Sequence, residues 1–553
     1  MRYLLLILCL SLCSCVSRHR FDPVQLEFTQ GAVAADSKKA SDAGVEILKL
    51  GGNAVDAAVA TSFALSVVRP ESCGIGGGGF MVIDSPTMEP VALNYRETAP
   101  LAVGPSFYET HDSRVGGTSV GVPGTVAGLL TAHERYGVLT REQVLAPAIR
   151  LANEKHEKYM RYMKSSLKGQ SIFSEHEISM LRQEAKNQEL PRKSFAFVYT
   201  FLGYNQSEVL TTIAIHGREG FYQGDVADAI VRATDGHISL EDLSNYAPRW
   251  EIPLQIDICE VGTLVGMPPP SSGTVAIAQI IGLLQRISPE SYAKNDLKYA
   301  QALVESMKHA FADRAEHLAD AAFVDVPVDA LLDPEYLDEL AATISLTETK
   351  DTYSYGSVTV PDDDGTSHLC VVDSDGMMVS ATETINMSFG SLVFVEPFGF
   401  VLNNEMDDFS SPSGENVYGL RQSDKNLPEP GKRPLSSMSP IIIEKDGVPF
   451  LAVGASGGPR IISGVVQVLL RILWFGDEPN EAVQRNRIHH QWLPNRVYVE
   501  EASMEPYIAE HLSKIGHWWL PRKDIGVVQV IYVENDVMKP YSDRRKHGKA
   551  AGY

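Results

Sequence analysis

Thr366 follows the acidic run Asp362-Asp363-Asp364 and Gly365, and it opens an apolar, strand-like stretch. A free hydroxyl is a poor nucleophile and needs a base beside it. If the Gly365–Thr366 bond is cut, Thr366 gains its own α-amine, with an unperturbed pKa of roughly 7.7–8.0. That amine could take the hydroxyl proton and later return it, as in the Thr–N-terminal-amine variant of the catalytic triad. Glycine ahead of the bond suits this chemistry, because it tolerates the strained backbone of an N-to-O acyl shift. Taken alone, a Gly-Thr pair before a strand equally describes an ordinary loop-to-strand junction.

The neighbours favour the nucleophile. Residues 367–385 read as a hairpin, with Asp375-Gly376 at the turn. On the return strand Thr382, Thr384 and Asn386 alternate, which puts them on one face near the start of the first strand. The solvated side of an edge strand would show the same pattern. Further along come carboxylates in a loop after a strand (NNEMDDFSS, 403–411), adjacent serines before a strand (KRPLSSMSP, 432–440) and a Gly-Gly turn after a strand (GASGGPR, 454–460). Paired backbone N–H groups at such a turn are natural donors to an oxyanion.

Helices and strands must hold these groups. Apolar spacing predicts two helices between Ala35 and Val68, split by Gly51-Gly52, the second buried on most faces. Gly74, Gly76 and Gly79 match G-x-G-x-x-G formally. They follow a helix and enter a strand, the reverse of a dinucleotide site, and so predict a tight, close-packed turn. Helices are expected over 125–137 and 143–167, and an amphipathic one over 297–318. A hairpin over 254–273 should end in a Pro-rich turn and a further helix. Strands are expected at FGFVLNN, SPIIIEKDGVPFLAVGASGG and GVVQVIYVEN, with a helix over 462–476. Residues 345–365 read as exposed and mobile. This order suggests stacked α and β layers of the α+β class.

The chain has 553 residues, too many for one ordinary core. Its net charge of −22, from 48 basic and 70 acidic residues, repels phosphate backbones and argues against nucleic acid as a partner. Residues 1–15 read as a secretory signal. Leu12-Cys13-Ser14-Cys15 resembles a bacterial lipoprotein processing site with Cys15 as the lipidated residue; plain secretion is the alternative. Cys73, Cys259 and Cys370 are too scattered for a disulfide framework or a zinc site, and read as small buried hydrophobes. His489-His490 is not expected to bind metal, since adjacent side chains point apart and lack an acidic partner at ligand spacing.

Ten blocks in order resemble the γ-glutamyltranspeptidases of the N-terminal-nucleophile hydrolase superfamily: GGNAVDAA, GIGGGGF, NYRETAP, GVPGTVAG, MPPPSSG, GTSHLCVV, FGFVLNNEMDDFSSP, KRPLSSMSP, GASGGPRI and HHQWLPN. The resemblance implies a four-layer αββα sandwich and self-cleavage into a large subunit (16–365) and a small subunit (366–553), paired as a heterodimer. It implies Thr366 as nucleophile, Thr384 as its hydrogen-bond partner with Thr382 nearby, and Gly457 and Gly458 as the oxyanion hole. Arg96, Ser436 and Ser437 would take the substrate α-carboxylate. Asn386, Glu405 and Asp408 would take the α-ammonium, with Arg96 facing the two acids across a pocket. Tyr418 would belong to a lid reaching toward Asn386.

The implied activity is transfer of a γ-glutamyl group from glutathione or a related donor to water, an amino acid or a dipeptide. No metal or organic cofactor is implied. A related acylase, acting on cephalosporin side chains or poly-γ-glutamate, and an unprocessed surface lipoprotein acting as a binding module are the competing readings.

Overall fold

The computed structural model describes residues 25–165, 205–258, 262–287, 297–350, 354–355, 365–410, 423–500 and 506–553. The leader with Cys15, Cys259, Asp362–Asp364, most of the tract expected to be mobile, and Tyr418 lie outside them.

Two antiparallel sheets form the centre. The first contains β1 (Ala32–Ala35), β2 (Gly78–Ser85), β3 (Met88–Asn94) and β4 (Arg249–Glu251). The second begins with β5 (Leu254–Ile258) and β6 (Gly262–Gly266). The chain then returns to the first sheet for β7 (Gly365–Val372) and β8 (Met378–Asn386). The second sheet takes β9 (Ile441–Lys445), β10 (Val448–Ser456), β11 (Val527–Glu534) and β12 (Val537–Ser542), and β13 (Ala551–Gly552) closes the edge of the first. Among the described residues the orders are β13-β1-β7-β8-β2-β3-β4 and β12-β11-β10-β9-β6-β5.

Period-two alternation divides the core. Leu369, Val371, Val379 and Ala381 pack with α1 (Lys38–Lys49), α2 (Ala54–Val68) and α3 (Thr125–Tyr136). Cys370, Val372 and Met378 face the second sheet. That sheet's other side is covered by α4 (Gly273–Ile287), α5 (Leu297–His317) and α6 (Arg460–Leu473). The result is the expected αββα sandwich.

Helix α2 is buried along almost its whole length, so packing rather than an amphipathic stripe holds it. Its start is locked by a capping box between Asn53 and Asp56. The Asp373 carboxylate accepts from the Ala54 N–H and from the Asp375 and Met377 N–H groups, tying the β7–β8 turn to this helix end. Helix α5 departs from the expected amphipathic form, because Tyr299–Ala315 are all buried. Its internal charges find partners, as in Lys308–Glu305 at 3.0 Å. The strand expected at FGFVLNN is only Phe400–Val401, paired with Phe394–Val395.

The glycine-rich turn runs against the return strand. A Cβ at Gly77 would collide with the Thr384 carbonyl oxygen, so the backbones can approach only with glycine there. Gly77→Ala should cost about 1–3 kcal/mol by overpacking against a carbonyl that cannot rotate away. A urea midpoint unchanged from wild type would contradict this.

Glu383 lies on the helix side of β8, accepting from Ser62 Oγ at 2.7 Å and Tyr95 OH at 3.4 Å. Burial pushes its pKa from 4.5 up to about 7, against the pull of these two hydroxyls. The folded protein keeps a proton that the unfolded chain releases at lower pH. The resulting stability is full below the unfolded pKa and is lost as pH rises through about 7. Glu383→Gln should match wild type near pH 4 and exceed it near pH 8 by up to about 3 kcal/mol. Paired denaturation curves at the two pH values test this.

Candidate active site

The β7–β8 register places Thr366 opposite Thr384 and His368 opposite Thr382. A bulge sets Gly365 opposite Asn386 and interrupts the alternation, so Asn386 does not simply continue the face of Thr382 and Thr384. The Thr384 hydroxyl donates to the Gly365 carbonyl at 2.5 Å and accepts from the Asn386 N–H at 2.8 Å. Its oxygen lies 3.4 Å from Thr366 Oγ. Thr384 has one hydroxyl proton, already placed on Gly365, so Thr366 is the donor in that contact.

The next carbonyl is held as well. Lys546 Nζ donates to the Thr366 carbonyl at 2.6 Å and to Ser456 Oγ at 2.9 Å. This joins the head of β7 to the end of β10, one residue before Gly457. Both Gly457 (φ 124°) and Gly458 (φ 57°) have positive φ. Among the described residues neither donates its N–H to a partner. Two free donors at a turn beside the strand that carries Thr366 can serve an oxyanion. His368 bonds Thr382 Oγ1 at 2.8 Å, and burial lowers its pKa to about 3, so it stays neutral at ordinary pH.

Arg96 is buried and belongs to a charged cluster. Its guanidinium pairs with Glu405, and with Asp408 at 2.5 Å, while Glu97 lies 3.9 Å away. It also donates to the carbonyls of Pro434 at 3.3 Å and Leu435 at 3.2 Å. Burial opposes the charge, but Glu405, Asp408 and Glu97 together hold the guanidinium above its ordinary pKa. The expectation that Arg96 faces the acids across a pocket is therefore corrected: they are in direct contact. A buried guanidinium is costly unless carboxylates compensate it, and these are within reach.

Asn403 and Asn404, absent from the predicted site, hold this region together. Asn403 donates to the Gly76 and Gly121 carbonyls and accepts from the Gly121 and Glu405 N–H groups. Asn386 Nδ2 donates to the Asn404 carbonyl at 3.0 Å. The Asn-Asn pair was visible only as part of a loop, because its partners lie far away in sequence.

The serines are also braced. The Ser436 carbonyl accepts from the N–H and hydroxyl of Ser272, at 2.8 Å and 2.7 Å. Ser436 Oγ accepts from the Met438 N–H. Ser437 Oγ accepts from Arg314 Nη2 at 3.1 Å. The residues MPPPSSG were conspicuous in the sequence, but nothing there connected them to Arg314 on α5. His489 and His490 are buried with polar neighbours, Ser463 and Gln491 for the first and Asn495 for the second.

The family profile described as Gamma-glutamyltranspeptidase matches residues 40–553. The glutathione hydrolase proenzyme of Pseudomonas aeruginosa is 38% identical over 540 residues, 94% of each chain. The fold is similar to that of the cephalosporin acylase from Bacillus halodurans, at a TM-score of 0.79 and 26% identity over 98% of each chain. A chain of the γ-glutamyltranspeptidase from Pseudomonas nitroreducens, solved in complex with L-DON, matches 59% of this chain and 98% of its own, with a TM-score of 0.50 and 35% identity. Carrying this fold and a family match through most of its length, the chain belongs to the γ-glutamyltranspeptidase family.

Proposed function

We propose that the protein is a self-processing γ-glutamyl transferase and hydrolase that cleaves the γ-glutamyl amide of glutathione and related compounds. The observation that carries this is the Thr384 hydroxyl on the Gly365 carbonyl, with the Thr366 hydroxyl beside it. In maturation, Thr366 Oγ attacks the Gly365 carbonyl carbon. The Thr384 donor stabilises the charge developing on that oxygen. The C–N bond breaks, the nitrogen takes a proton and becomes the Thr366 α-amine, and Gly365 is left as an ester on Thr366 Oγ. Water hydrolyses the ester. The products are a large subunit ending at Gly365, 16–365 once the leader is lost, and a small subunit, 366–553, which remain paired.

In turnover the α-amine takes the Oγ proton, and Oγ attacks the donor's γ-carbonyl carbon. The N–H groups of Gly457 and Gly458 receive the oxyanion. The leaving amine departs with the proton, and the glutamyl ester passes to water or to an amino acid or dipeptide. Arg96, Ser436 and Ser437 take the donor α-carboxylate; Asn386, Glu405 and Asp408 take its α-ammonium. The head group must then displace part of the Arg96 ion pairs, an exchange that keeps every buried charge compensated. Thr382 supports the same strand face, and Tyr418 belongs to a lid in this reading. Residues 1–15 contain the export leader; where Cys15 is the lipid acceptor, cleavage falls just before it and Cys15 stays as the first residue of the mature large subunit.

Likeness to a cephalosporin acylase keeps one second reading open, in which the α-amine of the acyl group is not needed. Wild type should yield a fragment whose N-terminal sequence begins at Thr366, and Thr366→Ala should remain one chain. Cleavage at this bond in Thr366→Ala would end the self-processing reading. The processed protein should release 4-nitroaniline from L-γ-glutamyl-4-nitroanilide at least about 100-fold faster than from the glutaryl analogue, given a buried acid pair left unmatched. Equal rates would favour the acylase. Cys15→Ser should move the protein from the detergent phase to the aqueous phase; unchanged partitioning would remove the lipid anchor from this reading.

A further inference from the structure

Arg314, near the end of α5, is a second buried guanidinium at this site, only 5% exposed. It differs from Arg96 in its partners. Nε donates to Ser272 Oγ at 2.8 Å and Nη2 donates to Ser437 Oγ at 3.1 Å. Among the described residues no carboxylate forms an ion pair with it, and Nη1 makes no hydrogen bond. The neighbouring Asp313 is engaged with Gln279 and Tyr336 instead. Burial lowers the Arg314 pKa to about 10, with Asp408 raising it and Arg96 lowering it, so it stays charged at neutral pH and shares the field of that cluster.

Hydrogen-bond direction makes the arrangement informative. A guanidinium only donates, so both serine oxygens must accept from it. Ser272 uses its own proton on the Ser436 carbonyl at 2.7 Å. Ser437 has no acceptor for its proton among the described residues. With its oxygen engaged by Arg314, Ser437 keeps its hydroxyl proton available to donate. Charge matters as well. Arg96 and Arg314 stand against Glu405 and Asp408, and Glu97 lies beside Arg96 with its pKa raised by burial to about 7. Arg314 therefore offsets negative charge that would otherwise oppose a carboxylate.

We propose that Arg314 is a positioning residue for the donor α-carboxylate, acting through the Ser437 hydroxyl and through the positive charge it contributes. This rests on the reading above, in which Ser437 receives that carboxylate of a γ-glutamyl donor. The probes are L-γ-glutamyl-4-nitroanilide and 4-aminobutanoyl-4-nitroanilide, which keeps the amine but lacks the α-carboxylate. L-Glutamate and 4-aminobutanoate serve as competitive inhibitors that need no turnover.

In the processed full-length enzyme, Arg314→Gln should raise KM for the γ-glutamyl donor about tenfold or more, with kcat changed less than about threefold. L-Glutamate inhibition should weaken in parallel, while 4-aminobutanoate inhibition and turnover of the decarboxylated donor stay as in wild type. Arg314→Lys keeps the charge but not the planar fork, and should fall between the two. In a Ser437→Ala background, Arg314→Gln should add little. Equal weakening of both inhibitors, a fall in kcat alone, or full additivity with Ser437→Ala would overturn the proposal while leaving the γ-glutamyl reading intact. A wild type inactive on the γ-glutamyl donor would sink both. Should Arg314→Gln fail to mature, Arg314→Lys, alone and in the Ser437→Ala background, decides by the same criteria.

Discussion

The register between β7 and β8 is the constraint on which the site depends. It sets Thr366 against Thr384 and lets one hydroxyl hold the Gly365 carbonyl. A slip of one residue would turn one of the two threonines toward the helical layer and part the pair. Three features oppose that slip. The apolar alternation buries different residues in two cores, the Asp373 carboxylate pins the hairpin turn to α2, and the glycine turn lies against Thr384 too closely for any side chain. Scaffold and site are therefore the same hydrogen-bonded ladder.

The second determinant is buried charge. Arg96, Glu405, Asp408 and Arg314 come from a loop after β3, a short turn near residue 405 and the end of α5. Each would be expensive to bury alone. Together they offset one another, with Asn403 and the Ser272–Ser436 contacts holding the backbone that carries them. Such a cluster discriminates through the cost of leaving a charge unmatched more than through contact area. Arg314 matters here because its partners are hydroxyls, which leaves positive charge to be answered by a carboxylate.

Much of this was legible in the chain itself. Helix and strand periodicity located the hairpin, the buried helix and the layered class, since local alternation is set by which face is buried. The residue types also spoke: a hydroxyl after glycine, a Gly-Gly turn, paired acids and paired serines. The amphipathic reading of α5 failed because its internal charged groups find ionic or neutral polar partners inside the core, and a strand at FGFVLNN shrank where the chain turns at Pro397 and Gly399. Asn403, Ser272 and Arg314 escaped notice for a common reason: their partners are separated from them by many residues, and no local spacing encodes such contacts.

By itself, the sequence determined the family and the layered fold and singled out the candidate reactive groups, because those follow from composition, period and motif order. Tertiary structure alone decided that the Thr384 proton sits on the Gly365 carbonyl. It also decided that Arg96 touches its acids rather than facing them, and that Ser437 Oγ accepts from Arg314. Donor direction and charge compensation depend on which groups meet across the sandwich, and that becomes definite only when long-range packing brings them together.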